Sequence, residues 1–342
     1  MGGDQGEGQG GLSFRECLKR KATVITVELY PPRGTSVEKV LGYAELLRGR
    51  VDGLNITDNQ RAMMRMAPMA LCHLLWERGH HPILQLTCRD RNRLALQADL
   101  LGCYALNIEN LCVMSGDHPL LGDHPQAKPV FDLDSLQLVA LARHMAHEGR
   151  YLSGREIKPA PDLFVGATAN PFAPPFDFRP LRLAKKVEAG AQFIQTQIIY
   201  NVDRFAAFMT RVRDLGLDRK VPILAGVAPL RSARGARYMR DRVPGMDVPL
   251  AVVRRMEQAG DVRSRREEEG LRICIEVIEQ LRDIPGIAGF HLMPIHWEEA
   301  VAEIVERARL RVGSRGPASP TPEPDLARGT EAPVLKTQER TA

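Results

Sequence analysis

One carboxylate stands where a buried strand should end. In the stretch VITVELYPPRG, residues 24–34, four β-branched residues precede Glu28, and two prolines and a glycine follow and stop the strand. Glu28 precedes prolines instead of a helix, so capping a helix is not its obvious role. A charge in this place is a candidate for chemistry if the strand ends in an active site.

Polar side chains recur at the ends of the other β-branched runs. The stretches LNITDNQ, LQLTCRDRN, CVMSGDHP, GATANP, IQTQIIYN and AGFHLM each finish an apolar run with groups that can donate or accept hydrogen bonds. These strand-end candidates are Asn55, Thr57, Asp58, Gln85, Thr87, Ser115, Asp117, Asn170, Thr196, Gln197 and His291.

The alternation of short and long patterns predicts the elements that carry these side chains. The β-branched runs predict strands at 22–28, 51–56, 82–86, 109–114, 162–167, 192–197, 222–226 and 287–291. Amphipathic stretches such as SVEKVLGYAELLRG, NRLALQADLLG and RPLRLAKKVEAG follow them, and several end in glycine. Strand–helix units in this number, within about 290 residues, predict a single-domain α/β protein with a TIM (β/α)8 barrel. The helical segment VPLAVVRRMEQAG is then an insertion.

A barrel would bring the strand-end residues together at one end of the fold. Active sites of TIM barrels form at the C-terminal ends of the strands, so Glu28 and the other strand-end side chains should face one mouth. Helix capping remains the alternative for any single Thr, Asp or Asn in the set. Capping fits Glu28, Asp117 and Gln197 less well, because Asp117 precedes its helix by many residues and glutamine is not a preferred cap.

The ends of the chain differ from its middle. Residues 1–12 are rich in glycine, and residues 313–342 are rich in Pro, Thr, Glu and Gly, so neither segment has the apolar surface to repay ordering. We expect disordered tails at 1–20 and 313–342 around a barrel domain at 21–312. The start lacks the basic and apolar regions of a signal peptide, and no apolar run approaches roughly eighteen residues. We therefore expect a cytoplasmic protein with no membrane partner.

Composition argues against several other classes. The net charge is only +5, from 47 basic and 42 acidic residues, and aromatic residues make up 5%, which does not suggest a nucleic-acid surface. The cysteines show no Cys-x-x-Cys spacing, so reduced thiols are expected. The repeated GDHP at Asp117–His118 and Asp123–His124 lacks further ligands at a fixed spacing, so we predict an ordinary loop and no metal site.

A set of motifs in a fixed order resembles one enzyme family. VELYPPRG, LNITDN, LQLTCRDRNR, VMSGDHP, KKVEAGAQFIQTQIIYN and ILAGVAPLRS, between about Val24 and Ile304, are similar to the flavin-dependent 5,10-methylenetetrahydrofolate reductase family. The resemblance implies a TIM barrel enzyme that uses reduced flavin to convert methylenetetrahydrofolate to 5-methyltetrahydrofolate in one-carbon and methionine metabolism. It implies a folate substrate, FAD as cofactor with FMN as the alternative, and NADH, NADPH or a reduced protein as electron donor.

The resemblance also implies roles for single residues. Glu28 matches a general acid that protonates the folate N10, Asp117 an aspartate near flavin and pterin, and Gln197 a folate-binding glutamine. Thr57 and Lys186 match flavin contacts, Lys186 being suited to a phosphate. The full set of expected cofactor contacts is Asn55, Thr57, Gln85, Thr87, Ser115, Gly116, Asn170 and Lys186.

Three positions depart from the family pattern. Ser115 stands where many members have arginine, Gln85 where they have histidine, and Asn170 where a flavin-contacting tyrosine is common. Two alternatives therefore stay open: a pterin-binding methyltransferase barrel without flavin, and a non-catalytic partner subunit of a one-carbon complex. A homo-oligomer or an electron-transfer partner protein is equally open. The arginines at 231, 234, 237 and 240 predict a solvated helix face, with a polyglutamyl folate tail as the alternative ligand.

Overall fold

A computed structural model describes residues 12–310 and shows a closed barrel of eight parallel strands in sequential order, which confirms the predicted TIM barrel. The predicted strand positions are confirmed, with ends that differ by up to about two residues. The ends differ because hydrogen bonding, and not composition, sets the exact boundary. The strands are β1 Val24–Leu29, β2 Gly53–Ile56, β3 Pro82–Thr87, β4 Asn110–Met114, β5 Phe164–Ala169, β6 Phe193–Ile198, β7 Ile223–Val227 and β8 Gly289–Leu292.

Helices surround the barrel and cover its outer, apolar face. In residues 12–310 they are α1 Phe14–Arg20, α2 Glu38–Leu47, α3 Pro68–Trp76, α4 Arg93–Ala105, α5 Ser135–His147, α6 Phe178–Glu188, α7 Val202–Asp214, α8 Ala233–Arg242, α9 Leu250–Gln258, α10 Arg263–Arg282 and α11 Glu299–Arg307. None of them combines the length and the apolar character needed to cross a bilayer.

Two details of the helices test predictions made from the sequence. Helix α10 packs against β7, while α8 and α9 pack on each other beside it, so the predicted insertion is confirmed at α9. Helix α4 runs through Gly102 to Ala105, whereas α2 and α6 are followed by Gly49 and Gly190 in the left-handed region at φ 71° and 104°. Gly102 therefore does not end its helix as the pattern suggested.

The strand register places alternate side chains inside the barrel. Strand β1 pairs with β2 and β8, with Thr26 opposite both Gly53 and His291. Inside β5, a Cβ on Gly166 would lie 2.2 Å from the ring of Phe193, so glycine leaves the space that this ring fills. Side-chain alternation with a period of two therefore decides which residues line the interior.

Helix α1 closes the N-terminal end of the barrel. Phe14 is fully buried, with its ring 5.2 Å from that of Phe193 and 6.1 Å from that of Phe164. Ser13 and Glu16 form a capping box at its start, and Arg15 makes a forked pair with Asp162 at 3.0 Å for both contacts. The prediction of a disordered tail through residue 20 is therefore wrong at residues 14–20.

The physical reason for that error is the shortness of the helix. FRECLKR spans 7 residues, too few to show a helical period, and burial of Phe14 and Cys17 against the barrel supplies the stability. The rest of the predicted tails, residues 1–11 and 311–342, lies outside the described residues. All six cysteines fall in residues 12–310, where they are buried free thiols.

Candidate active site

The carboxylate of Glu28 lies at the mouth formed by the C-terminal strand ends. Gln85 Nε2 donates a 2.9 Å hydrogen bond to Glu28 Oε1. His291 Nε2 lies 3.6 Å from the same oxygen, and the Glu28 side chain remains 16% exposed. In residues 12–310 no hydrogen bond reaches Oε2, so one oxygen is fixed and the other can face a ligand.

A chain of buried polar side chains continues from Glu28 into the barrel. His291 Nδ1 lies 2.9 Å from Thr26 Oγ1, which accepts a 3.1 Å hydrogen bond from Gln195 Nε2. Gln195 and Asn55 exchange hydrogen bonds of 2.7 and 3.1 Å. These four side chains are at most 3% exposed. Buried polar groups of this kind must be paired, and here each one is.

The contact with Thr26 orients the ring of His291. Thr26 Oγ1 already accepts from Gln195, so its own proton is free to go to His291 Nδ1. If the Thr26 hydroxyl donates to Nδ1, the ring proton lies on Nε2, which faces Glu28. Strand ends alone indicated Asn55, Glu28 and His291, whereas Thr26 and Gln195 were missed. Counting inward in steps of two from Glu28 and Gln197 would have found both.

Asp117 lies exposed on the loop after β4. Its Oδ2 accepts a 2.9 Å hydrogen bond from the backbone N–H of Arg61, which has a left-handed backbone at φ 56°. The Arg61 guanidinium donates to Tyr238 Oη at 2.6 Å and lies 5.2 Å from the centre of that ring. Arg61 therefore joins the carboxylate of Asp117 to helix α8.

A buried arginine that the sequence did not single out supports the same loop. Arg89 is 2% exposed and forms a two-bond fork with Asp90 at 2.8 and 2.7 Å. Its Nη1 also donates to the carbonyls of Asn59 at 3.2 Å and Asp117 at 3.3 Å. Arg89 thus links the loops after β2, β3 and β4. An arginine followed directly by aspartate at a strand end was the available signal.

The loop at Ser115 and Gly116 packs tightly on β3. Gly116 has φ 84°, and a Cβ there would lie 3.0 Å from Thr87 Cβ and 3.2 Å from Arg89 Cβ, so both conformation and space require glycine. Ser115 precedes it, half-buried. Ser115, where the resemblance implied an arginine, therefore precedes a glycine that packs against Arg89.

Two expected cofactor contacts are already hydrogen-bonded to protein. Thr87 donates through both N and Oγ1 to Asp58 Oδ2, at 3.0 and 2.8 Å. Asp58 is fully buried and also pairs with Arg91 at 2.7 Å. Thr57 Oγ1 donates to Gln60 Oε1 at 2.7 Å. Thr57 and Thr87 can therefore offer a ligand only acceptor positions without rearrangement.

Lys186 lies in the barrel wall beside β5. It is 7% exposed, and its Nζ donates to the carbonyl of Thr168. Burial, and next the charge of Arg182 one turn away on α6, lower the pKa of Lys186 to about 8. In residues 12–310 no carboxylate forms an ion pair with either cation, although the charge of Asp134 acts on Lys186 from a distance. Two like charges at i, i+4 without a directly paired carboxylate are unfavourable, and a phosphate would relieve them.

Two further candidates are held by local contacts. Gln197 Oε1 accepts from the N–H of Ile198 at 2.9 Å, which leaves its NH2 group free. Asn170 Oδ1 accepts from the N–H of Phe172 at 2.9 Å. A Cβ on Gly245 would lie 2.2 Å from Asn170 Nδ2, so the segment after α8 packs directly on Asn170. A tyrosine at position 170 would collide with that segment.

The predicted site residues therefore fall into three groups. Glu28 contacts Gln85 and connects through His291 to Asn55. Asp117, Ser115 and Gly116 form one loop against Thr87. In residues 12–310, Gln197, Asn170 and Lys186 make no hydrogen bond or ion pair with either group. In the GDHP repeat, Asp123 Oδ1 accepts a hydrogen bond from Met64 N, and His118 Nδ1 accepts one from Leu120 N. Within residues 12–310 no group of three or more metal-ligating side chains occurs.

Comparison with known proteins shows to which family the chain belongs. Residues 13–309 match the sequence profile of the methylenetetrahydrofolate reductase family. The chain belongs to that family. Methylenetetrahydrofolate reductase 2 of Schizosaccharomyces pombe is 29% identical over 248 residues, which cover 68% of this chain and 36% of the relative. The 5,10-methylenetetrahydrofolate reductase of Salmonella typhimurium is 22% identical over 294 residues, 84% of this chain and 92% of the relative.

A solved structure is similar in fold to this barrel. A protein from Clostridium thermocellum, described as binding two copies of 5-methyl-5,6,7,8-tetrahydrofolic acid, has a TM-score of 0.60 at 16% identity. The match covers 86% of this chain and 98% of that one, and at this identity it supports the fold alone. The chain spans about a third of the length of the first yeast relatives, 36% and 35%.

Proposed function

We propose that this chain catalyses the reduction of 5,10-methylenetetrahydrofolate to 5-methyltetrahydrofolate. The observation that carries the proposal is Glu28 at the barrel mouth, with Oε1 fixed by Gln85 and faced by His291, and with Oε2 free. Membership of the reductase family supports it.

Glu28 serves as the acid that the ring opening requires. Its carboxyl group delivers a proton to N10 of the folate, the C–N10 bond of the five-membered ring breaks, and the methylene carbon becomes an electrophilic iminium on N5. His291 Nε2 then hydrogen-bonds the Glu28 carboxylate that this transfer leaves behind, while Thr26 holds the ring in place. Asp117 and Gln197, with free polar atoms at the mouth, orient the pterin.

Flavin, with FAD as the specific proposal, supplies the hydride when bound. The residues of this chain fit its phosphate, because Arg182 and Lys186 form a cation pair with no carboxylate partner in residues 12–310. Ser115 and Gly116 follow β4, the neighbour of β5, and Thr57 follows β2. NADH or NADPH is the proposed electron donor, and the cytoplasm the proposed location.

The proposed acid is tested by Glu28→Gln, which keeps shape and removes the transferable proton. We expect the folate-dependent step to slow by about 10² to 10⁴, while flavin reduction by the nucleotide stays within a few-fold. Stopped-flow absorbance separates the two steps. Glu109→Gln, a half-buried carboxylate at the other end of the barrel, is the control and should retain both rates. Unchanged folate turnover in Glu28→Gln would refute the acid role.

The cofactor is tested at the cation pair. Lys186→Ala and Arg182→Ala should each weaken FAD binding by roughly tenfold or more, because a charged donor to phosphate is worth about 1.5–3 kcal/mol. Thr57→Ala should weaken it less. Fluorescence titration of FAD and FMN measures this, with Lys185→Ala as an exposed neighbour on the same helix. Equal affinity in all four proteins would place the phosphate elsewhere.

A further inference from the structure

The buried polar chain that begins at Glu28 ends in a pair of amides inside the barrel. Asn55 Nδ2 donates to Gln195 Oε1 at 2.7 Å, and Gln195 Nε2 donates back to Asn55 Oδ1 at 3.1 Å. The second hydrogen of Gln195 Nε2 goes to Thr26 Oγ1, also at 3.1 Å. All three side chains are buried, so solvent does not compete for these hydrogen bonds.

This amide pair controls the direction of the hydrogen bond at Thr26. Two paired amides can turn over together and keep their mutual bonds, so the pair can present either an N–H or an oxygen to Thr26. An N–H makes Thr26 Oγ1 an acceptor and sends the hydroxyl proton to His291 Nδ1, 2.9 Å away. An oxygen would take that hydroxyl proton, and Nδ1 would then have to carry its own. The amide of Gln195 therefore selects the tautomer of His291.

The ionised carboxylate at the other end of the chain fits one of these two patterns. Glu28 Oε1 accepts from Gln85 Nε2 at 2.9 Å, and His291 Nε2 lies 3.6 Å from the same oxygen. A carboxylate oxygen offers only lone pairs, so it attracts a proton on Nε2 and repels a lone pair there. Both ends of the chain therefore require the same state. In that state Gln195 donates to Thr26, Thr26 donates to Nδ1, and the Nε2 proton faces Glu28.

We propose that Gln195, held by Asn55, is a positioning residue that keeps the acid proton of Glu28 on Oε2. This inference rests on the proposed function, in which Glu28 is the acid. Because the N–H groups of Gln85 and His291 both face Oε1, that oxygen acts as an acceptor and the proton of the neutral acid lies on Oε2. In residues 12–310 no hydrogen bond reaches Oε2, so the proton can pass from this oxygen to N10 of the folate.

The opposite tautomer of His291 would misplace this proton. With a lone pair on Nε2, the neutral carboxyl group of Glu28 would donate from Oε1 to that nitrogen. The proton would then point towards the interior of the barrel and not towards the ligand. Gln195 thus acts on the reaction through Thr26 and His291, from a buried position below the mouth.

The substitution Gln195→Glu removes the N–H that faces Thr26 and preserves the pairing with Asn55. Burial disfavours the charged form of a carboxyl group, so the new side chain stays neutral. Its single O–H goes to Asn55 Oδ1, its carbonyl oxygen accepts from Asn55 Nδ2, and only lone pairs face Thr26. The Thr26 hydroxyl then turns towards position 195, and the ring proton of His291 moves to Nδ1.

Two measurements follow the tautomer and the reaction separately. Nitrogen NMR of protein with isotope-labelled histidine shows which ring nitrogen carries the proton, and the His291 signals are those lost in His291→Gln. We expect the proton on Nε2 in the parent and on Nδ1 in Gln195→Glu. In stopped-flow absorbance, Gln195→Glu should slow the folate-dependent step by about ten- to hundredfold, which is part of what acid catalysis supplies. Flavin reduction by the nucleotide and KM for folate should stay within about twofold.

Matched variants separate this role from a loss of packing. Thr26→Val, which keeps the shape and lacks the hydroxyl, should slow the folate-dependent step as Gln195→Glu does, whereas Thr26→Ser should keep the parental rate. Gln192→Glu, at the start of the same strand, loses no bond, since its side-chain oxygen accepts from Val165 N at 2.9 Å, and it should change neither rate nor tautomer. Combined with Glu28→Gln, Gln195→Glu should have no further effect, because no acid proton is left to place.

Three results would contradict the role of Gln195. The first is a proton on Nδ1 of His291 in the parent protein, and the second is parental folate turnover in both Gln195→Glu and Thr26→Val. The third is an equal loss of flavin reduction and folate turnover in both variants, which would indicate damage to the barrel. None of them touches the acid role of Glu28, which Glu28→Gln tests separately. If Glu28→Gln keeps parental turnover, the proposed function fails and this inference fails with it.

Discussion

Lys186 carries an ammonium group into the barrel wall at a cost in stability. Because its pKa falls from 10.5 to about 8, the unfolded chain holds a proton between those pH values that the folded chain has lost. The free energy of unfolding that this group contributes therefore rises with pH over that window, and below it the folded protein bears the full burial penalty.

Replacing that amine should therefore stabilise the protein without ligand. We expect Lys186→Met to raise the free energy of unfolding at pH 7 by roughly 1–3 kcal/mol, and the gain to shrink as the pH approaches 10. Urea denaturation at pH 7 and pH 9.5 measures both values. A gain that is constant with pH would show that packing, and not the buried charge, is responsible.

Arg89 is expected to act on catalysis through Asp117. If its hydrogen bond to the Asp117 carbonyl positions that residue, Arg89→Met and Asp117→Asn should not be additive in kcat/KM, because the second change finds the geometry already lost. A double-mutant cycle measures this. Arg93→Met, which breaks a forked pair with Asp132 on the surface, supplies the control and should be additive with Asp117→Asn. Additive effects of Arg89→Met would reduce it to a stabilising residue.

At the level of single residues, the sequence predicts which side chains lie at the strand ends but not which of them contact each other. Glu28, Gln85 and His291 are adjacent in space because β1, β3 and β8 end at one mouth, and a period of two with a closed barrel is enough to expect that. That Gln85 contacts Glu28 depends on the shear of the barrel, which no local pattern contains. Arg182 and Arg89 were missed because their role depends on the absence or presence of a carboxylate from a distant segment.

At the level of elements, two loops at the mouth are packed without spare room. A Cβ on Gly122 would lie 1.9 Å from the carbonyl oxygen of Ala62, so the segments that carry Asp117 and Arg61 touch through this glycine. Residues 59, 61 and 62 all have positive φ, which is strained for side chains other than glycine and is held by these contacts.

Separating these loops should impair binding more than stability. Gly122→Ala is expected to raise KM for folate by about fivefold or more, because the shift displaces Asp117, whereas an exposed loop can move at small cost to the core. Gly42→Ala on α2, with open space around its Cα, is the control and should leave KM unchanged. Steady-state kinetics measures KM and thermal melting measures stability. A lower melting temperature with an unchanged KM would contradict the prediction.

The elements themselves were largely predictable, with one instructive exception. The strands and the helices that follow them show clear hydrophobic periodicity in the sequence. Their alternation predicts the barrel, which the structure confirms. Helix α1 has 7 residues and only two buried side chains, so its existence depends on the surface that receives it. That surface includes Phe164 of β5 and Phe193 of β6, which are far away in sequence.

At the scale of the whole molecule, Phe14 completes the core at the closed end. We expect Phe14→Ala to lower the free energy of unfolding by about 3–5 kcal/mol, since a fully buried ring is lost from an aromatic cluster. Leu94→Ala, at a side chain that is 74% exposed, should change it by less than about 0.5 kcal/mol. Equal effects in chemical denaturation would mean that α1 does not dock in solution.

The docking of α1 also orders events during synthesis. Arg15 and its partner Asp162 are 147 residues apart, and Phe193 is farther still. Helix α1 therefore meets its full packing surface only after the sixth strand has emerged, so part of its apolar face stays exposed for much of translation. A nascent chain arrested before residue 193 should leave this helix open to protease, and one released after the barrel closes should protect it.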